Sequence, residues 1–238
     1  MMKHNIYLVG MGPGKEEMMT GEALKALEAA DVIIGYTVYI KLLGERFADK
    51  EMRTTPMRQE EERCKLCFEE AKKGKQVAMV CSGDAGIYGM ASLLYEMGKA
   101  YPDTEIFVIP GITAACSGAA VLGAPLNHDF CVISLSDLLT PWEKIEKRLL
   151  AAAGGDFAIA IYNPSSHKRK DYLKKACDIL LRVIDEERPC GYVENIGREG
   201  TKAVTCTLRE LRDIQVNMFT TVSVSYTHLR AHETRSNL

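Results

Sequence analysis

The sequence predicts an α/β protein whose strands form open, mostly parallel or mixed sheets flanked by helices. Three observations predict it. Short apolar runs alternate with amphipathic stretches of helical length, and three of those runs end in glycine-bearing loops that lead into helices. After about residue 126 the same alternation starts again, which implies a second domain.

The first run, Ile6-Tyr7-Leu8-Val9, ends in Gly10-Met11-Gly12-Pro13-Gly14. Glycines there remove side chains where the chain leaves the strand, so a ligand can approach the main chain. A nucleotide cradle is the first expectation, and the residues argue against it. The pattern is Gly-x-Gly-Pro-Gly rather than Gly-x-Gly-x-x-Gly, and Pro13 has no N–H for a phosphate. Asp31 stands at the entrance of the next strand instead of its far end. The loop therefore reads as a ligand loop of another kind, or as a tight strand-to-helix turn with no ligand at all.

Thr20 is the expected N-cap of a helix carrying Ala23, Leu24, Leu27 and Ala30 on one face, followed by a strand over 32–35. Residues 37–46 read as helical, and a short extended piece leads to Pro56. A charged helix over about 59–73 stops at Gly74. The run 76–81 suits a strand covered on both faces. It ends in Ser82-Gly83-Asp84-Ala85-Gly86-Ile87-Tyr88-Gly89, before a helix over 90–99. A further strand over 106–109 breaks at Pro110-Gly111-Ile112-Thr113-Ala114, before a small-residue helix through Cys116, Ala119, Ala120 and Leu122. In an open parallel sheet the carboxyl ends of strands share one edge, and crevices on that edge bind ligands. Asp84 reads equally as a turn cap and as a ligand contact.

In the second half, strands are expected over 131–135, 157–162, 190–194, 202–207 and 219–222. One helix opens with Pro141 at its first position and a long one runs to about 185. The expected division is an N-terminal domain over 1–117, a C-terminal domain over 118–224 and an ill-fitting tail over 225–238. The misfit begins at Ser223, where strand alternation stops, and the tail reads as disordered or non-native. His228 and His232, four apart beside Glu233, have the spacing of a metal pair; set against the tail reading, no metal is expected.

Nearly half the residues are hydrophobic, enough for a sizeable core, and the net charge of −2 gives no global attraction to nucleic acid or an anionic membrane. Without a long uncharged apolar run or an apolar segment after Met1, a cytoplasmic location is expected. The eight cysteines are scattered through apolar runs, as buried reduced thiols would be. Cys64-x-x-Cys67 shares one face of a charged helix and lacks a second ligand pair.

Taken in order, Gly10 to Gly14 with Thr20, the Ser82 to Gly89 stretch, and Pro110 to Ala114 with Leu122-Gly123-Ala124-Pro125-Leu126 resemble the tetrapyrrole methylases. Ser136-Asp137-Leu138-Leu139-Thr140-Pro141-Trp142, Tyr162-Asn163-Pro164-Ser165-Ser166 and Asn195-Ile196-Gly197-Arg198-Glu199-Gly200 look like the branch that methylates C17 of precorrin-3B or its cobalt form. The resemblance covers roughly residues 4 to 222. It implies two α/β domains with an S-adenosylmethionine cleft between them, a tetrapyrrole substrate, methyl transfer to C17 with ring contraction in cobalamin synthesis, and a homodimer. It places Pro13, Gly83, Asp84, Ile87, Thr113, Ala114, Tyr162, Asn163 and Gly197 around the cofactor. For the proton movement of ring contraction, His128, Asp84 and Glu194 are the candidates on chemistry alone. For the substrate's carboxylates, the basic clusters at Lys168-Arg169-Lys170 and Arg198 offer Arg169 and Arg198. The family's last strand continues past residue 222 into a small-residue turn, and here Ser223 onward departs from it. The rival readings are methylation at another macrocycle carbon, a silent cofactor- or macrocycle-binding protein, and a nicotinamide enzyme, which Pro13 and Asp31 disfavour.

Overall fold

A computed structural model describes residues 4–166 and 168–226. The chain divides into two compact units, one ending at Ala114 and one beginning at Ala115. The first contains β1 (His4–Gly10), α1 (Gly21–Ala29), β2 (Val32–Tyr36), α2 (Thr37–Ile40), β3 (Glu51–Thr55), α3 (Glu60–Lys72), β4 (Val77–Cys81), α4 (Ala91–Gly98) and β5 (Thr104–Ile109). Its strands form one parallel sheet in the order β3-β2-β4-β1-β5.

The run 76–81, expected to be covered on both faces, is covered so, and β1 beside it is covered in the same way. Ile6, Leu8, Val77 and Met79 pack with Cys64, Cys67, Phe68 and Leu94 of α3 and α4. Val9, Ala78 and Val80 face the other way, against Ala23 and Leu27 of α1 and Phe47. Each fully buried Leu or Phe contributes on the order of 1.5–3 kcal/mol, so the two layers fix the strand order. Thr20 caps α1 as expected, its hydroxyl accepting the Ala23 N–H at 3.1 Å. The helix expected over 37–46 stops at Ile40 instead. Gly44, at φ +69°, turns the chain into a short 3-10 segment at Glu45–Phe47 that seats Phe47 in the core.

The second unit carries α5 (Ala114–Val121, beginning at the division), β6 (Phe130–Ser134), α6 (Trp142–Gly154), β7 (Ala158–Tyr162), α7 (Tyr172–Leu180), β8 (Pro189–Glu194), β9 (Lys202–Thr207), α8 (Leu208–Arg212) and β10 (Thr220–Val224). The mixed sheet has the order β6-β7-β10-β8-β9, with β6 and β7 parallel and the other pairs antiparallel. One face buries Ile133, Ile159, Ile161, Tyr192, Val222 and Val224 against α6, α7 and α8. On the other face small residues let α5 come close. A Cβ on Gly191 would lie 2.9 Å from Leu122 Cδ2, and one on Gly118 would lie 3.3 Å from Ile196 Cδ1.

Three expectations shift. Pro141 is the N-cap of α6 rather than its first residue, and α7 ends at Leu180, short of 185. The last strand does not stop at Val222: it runs to Val224, in the middle of the sheet, and Ser223 is buried. Ser225 continues it, donating its N–H to Pro189 O at 3.0 Å and its hydroxyl to Pro125 O at 3.3 Å. Strand character, expected to stop at Ser223, therefore continues through it. The polar Ser223 is read as a break because its partner face is made of small residues, which alternation of large apolar groups does not reveal. The rest of the tail, including His228, His232 and Glu233, lies outside the described residues.

Candidate active site

β4, β1 and β5 are adjacent and parallel, so their three glycine junctions stand side by side on one edge of the first sheet. The junctions bond to each other through the main chain. Gly12 and Gly83 exchange N–H···O bonds of 3.1 and 2.7 Å, and Met11 N–H reaches Cys81 O at 2.9 Å. A Cβ on Gly10 would sit 2.7 Å from Gly111 N, and one on Gly111 would collide with the carbonyl oxygens of Gly83 and Gly10. Close approach of backbones requires glycine at Gly10 and Gly111, and φ of +69° favours it at Gly83.

Asp84 closes the arrangement. Its Oδ1 accepts the N–H of Gly86 at 2.8 Å and its Oδ2 that of Gly111 at 2.9 Å. The carboxylate staples the β4 loop to the β5 loop, and each oxygen already holds a backbone donor. Thr20 adds a longer bond from its hydroxyl to Pro110 O at 3.4 Å. Pro13 is buried, Ile87 is exposed, and Thr113 Cα and Ala114 N lie 3.7 Å from where a Gly83 Cβ would be. The expected residues of this unit thus gather on one edge. Between Gly10 and Gly14, Ser82 and Gly89, and Pro110 and Ala114 the only charged side chain is Asp84. The edge is thus a cradle of backbone groups with one carboxylate and no cation.

In the second unit β6, β7 and β8 run the same way, and Ser134 pairs in register with Tyr162 at their carboxyl ends. Tyr162 OH accepts the Ala115 N–H at 2.8 Å, capping α5. Asn163, held at φ +53°, donates from Nδ2 to Ser134 Oγ at 2.9 Å. Gly197 follows β8 with φ +67°, and Glu194 ends β8 opposite Thr220. Arg198 stacks its guanidinium 5.2 Å over Phe219.

Arg169 is engaged by its own unit. Its Nη1 donates to Ser136 Oγ at 2.8 Å and pairs with Asp137 Oδ1 at 3.1 Å, and its Nε donates to Ser166 Oγ at 3.1 Å. Tyr172 OH donates to Asp137 Oδ2 at 2.6 Å. That bond, with Arg169, holds the Asp137 carboxyl below its usual range despite the opposing effect of burial, and it raises the Tyr172 phenol. Sequence reasoning names neither Asp137 nor Tyr172 as partners of Arg169. Only the Ser-Asp pair in the motif hints at them.

His128 is not brought to these groups. It precedes β6, at the amino end of the strand, so the length of β6, roughly 13 Å at 3.3 Å per residue, separates it from Ser134. Its side chain is 63% exposed and its ring lies 5.1 Å from that of Tyr226, beyond the carboxyl end of β10. A base working beside Tyr162 and Asn163 does not fit that position. Cys64 and Cys67 are core thiols, as their shared helical face implies. Burial pushes Cys64 up to about 12 and Cys67 well above its usual value. Among the described residues no group of histidine, cysteine or acidic side chains has the arrangement of a metal site.

A parallel glycine-junction unit followed by a mixed-sheet unit is the architecture of the corrin and porphyrin methylases, and the chain belongs to that family. The profile of the tetrapyrrole (corrin/porphyrin) methylases matches residues 5–212. Among curated relatives, the chain is 45% identical over 218 residues to a probable cobalt-factor III C(17)-methyltransferase of Salmonella typhimurium, covering 91% of this chain and 90% of that one. It is 36% identical over 236 residues to a precorrin-3B C(17)-methyltransferase of Sinorhizobium sp, covering 98% and 92%. The crystal structure of the methyltransferase CobJ superposes with a TM-score of 0.88 at 37% identity, covering 95% of this chain and 96% of that one.

Proposed function

We propose that this protein transfers a methyl group from S-adenosylmethionine to C17 of cobalt-factor III or precorrin-3B, with contraction of the macrocycle, in cobalamin synthesis. The observation that carries the reading is the 45% identity, across nine-tenths of both chains, to the Salmonella relative named for that reaction. When bound, S-adenosylmethionine supplies the sulfonium methyl. The groups assigned to hold it are Pro13, Gly83, Asp84, Ile87, Thr113 and Ala114 of the first unit, and Tyr162, Asn163 and Gly197 of the second.

The chain's contribution to methyl transfer is positioning. Asp84 fixes the Gly111 junction, and the three interlocked glycine turns leave backbone groups rather than side chains to meet the donor. Displacement at a sulfonium methyl demands no strong base, so a carboxylate already holding two N–H groups is suited to orientation. Arg198, stacked on Phe219, is the cation of the second unit proposed for a substrate carboxylate. Arg169 acts through the loop it locks to Asp137.

A cytoplasmic homodimer is the proposed assembly. All eight cysteines are free thiols, as in a reducing compartment. The edge strand β5 exposes Phe107 and Val108, an apolar border suited to a second copy. Incubation with methyl-labelled S-adenosylmethionine and cobalt-factor III tests the function: label at C17 of a contracted ring is expected, and label at another carbon overturns the assignment.

A further inference from the structure

The first sheet carries a second constellation on its carboxyl edge, beyond the glycine junctions and toward β3. Arg58 follows β3 at φ +67°, in the left-handed region that an arginine adopts at a cost. Its side chain is exposed, and among the described residues no carboxylate lies within ion-pair distance of it. Tyr88, at the far end of the β4 loop, is also left-handed, at φ +52°, and is 55% exposed. Met57 and Ile87 beside them are exposed as well. Both exposed positions hold a left-handed backbone that an L side chain adopts at a cost.

Arg63 ties the two segments together. It projects from α3, is only 5% exposed, and among the described residues has no carboxylate partner. Its Nε donates to Thr55 Oγ1 at 2.8 Å, its Nη2 to Pro56 O at 3.2 Å, and its Nη1 faces Met90 Sδ at 3.8 Å. Thr55 and Pro56 lead into Arg58, and Met90 ends the loop that holds Tyr88. One buried guanidinium thus fixes both ends of the rim. The β4 loop joins this rim to the methyl-donor edge, since its Gly83 and Asp84 bond to Gly12 and Gly111 while Met90 meets Arg63.

We propose that Arg58 binds a peripheral carboxylate of the tetrapyrrole, with Tyr88 and Met57 against the apolar ring beside it, and that Arg63 is the positioning residue that holds this rim in place. The inference rests on the proposed function for the class of substrate. An exposed arginine with no partner among the described residues, held in one backbone conformation, keeps its planar donor fork available for a carboxylate. The two flanking apolar side chains suit the face of a macrocycle better than a small anion.

The test uses Arg58→Gly, because glycine accepts φ +67° without strain and the variant folds at least as well as the parent. Binding of cobalt-factor III is measured by absorbance titration, and binding of S-adenosylhomocysteine by calorimetry. Arg58→Gly is expected to weaken macrocycle binding about ten- to a hundredfold, with cofactor affinity unchanged and thermal stability equal or higher. Arg58→Lys, which keeps the charge but not the fork, falls between. Macrocycle affinity equal to that of the parent overturns the role of Arg58 and leaves the proposed function standing. A parent chain that binds S-adenosylhomocysteine but no macrocycle overturns both.

Discussion

The N–H of Gly111 points at Asp84 Oδ2, 2.9 Å away, across 27 residues of sequence. Together with the Gly86 bond to Oδ1, it makes one carboxylate the fastener between two glycine loops. Asp84→Asn keeps the shape but turns a donor toward one of the two N–H groups. A stability loss of about 1–3 kcal/mol is expected, with affinity for S-adenosylhomocysteine falling tenfold or more. Calorimetry and urea unfolding read both, and a variant that keeps parental cofactor affinity refutes the fastening role.

Close approach at Gly111 predicts a different kind of damage. A methyl group there has no room between the Gly83 and Gly10 carbonyls, whereas at Gly21, the first residue of α1, nothing lies within 4 Å of an added Cβ. Gly111→Ala is expected to cost roughly 1–3 kcal/mol through displaced backbone. Gly21→Ala is expected to be neutral or to stabilise by up to about 1 kcal/mol. Denaturation midpoints of the pair decide it; equal effects would refute the steric account.

Glu70 supplies a pH dependence. Its side chain is 1% exposed, with Lys73 Nζ at 2.7 Å and Lys75 Nζ at 2.8 Å, and these two lysines hold its carboxyl down to about 2. In the unfolded chain the carboxyl titrates near the ordinary value of about 4.3. The folded value is the lower one, so between the two the unfolded state binds more protons. The contribution is complete above about pH 5 and is lost as pH falls toward 2. Measured from pH 7 to 2, the stability gap between the parent and Glu70→Gln should be widest at neutral pH and narrow below pH 5. A gap that does not change with pH contradicts this.

Tyr162 offers a local probe. Its hydroxyl oxygen accepts the Ala115 N–H, one of the donors that a helix start leaves without an internal partner. Tyr162→Phe should speed hydrogen exchange at Ala115 and cost about 1 kcal/mol. Unchanged exchange at that amide would mean another group caps α5.

Much of this was legible in the chain itself. Gly10, Gly83 and Gly111 announce themselves because a strand-length apolar run stops at each, and parallel order then brings them together. Thr20 is readable because N-cap chemistry is local. Long-range partners are not: nothing near Arg169 in sequence says that Asp137 and Ser136 will hold it. The Arg58 rim escapes for the same reason, since a left-handed arginine and the arginine that braces its turn carry no sequence pattern. His128 is a different matter, since chain order alone puts it at the amino end of the strand expected over 131–135, away from the loops at the carboxyl ends. α8 is a different kind of miss. Thr207 and Glu210 form a capping box, a local signal present in the sequence and not used.

The position of β10 also shapes how the second unit is made. Of the described strands it is the last in chain order, yet it lies between β7 and β8, pairing with both. Until it arrives from the ribosome, β7 and β8 have unfilled borders, and Val222 and Val224 are missing from the helix-facing core. The first unit draws its strands from residues 4–109 and can close while synthesis continues. The second must wait for β10 and then insert it between β7 and β8, pairing Val222 with the distant Ile161, a step made slow by the entropy of closing that separation. A nascent chain halted before residue 220 should therefore display a protease-resistant first half and a second half dependent on chaperones.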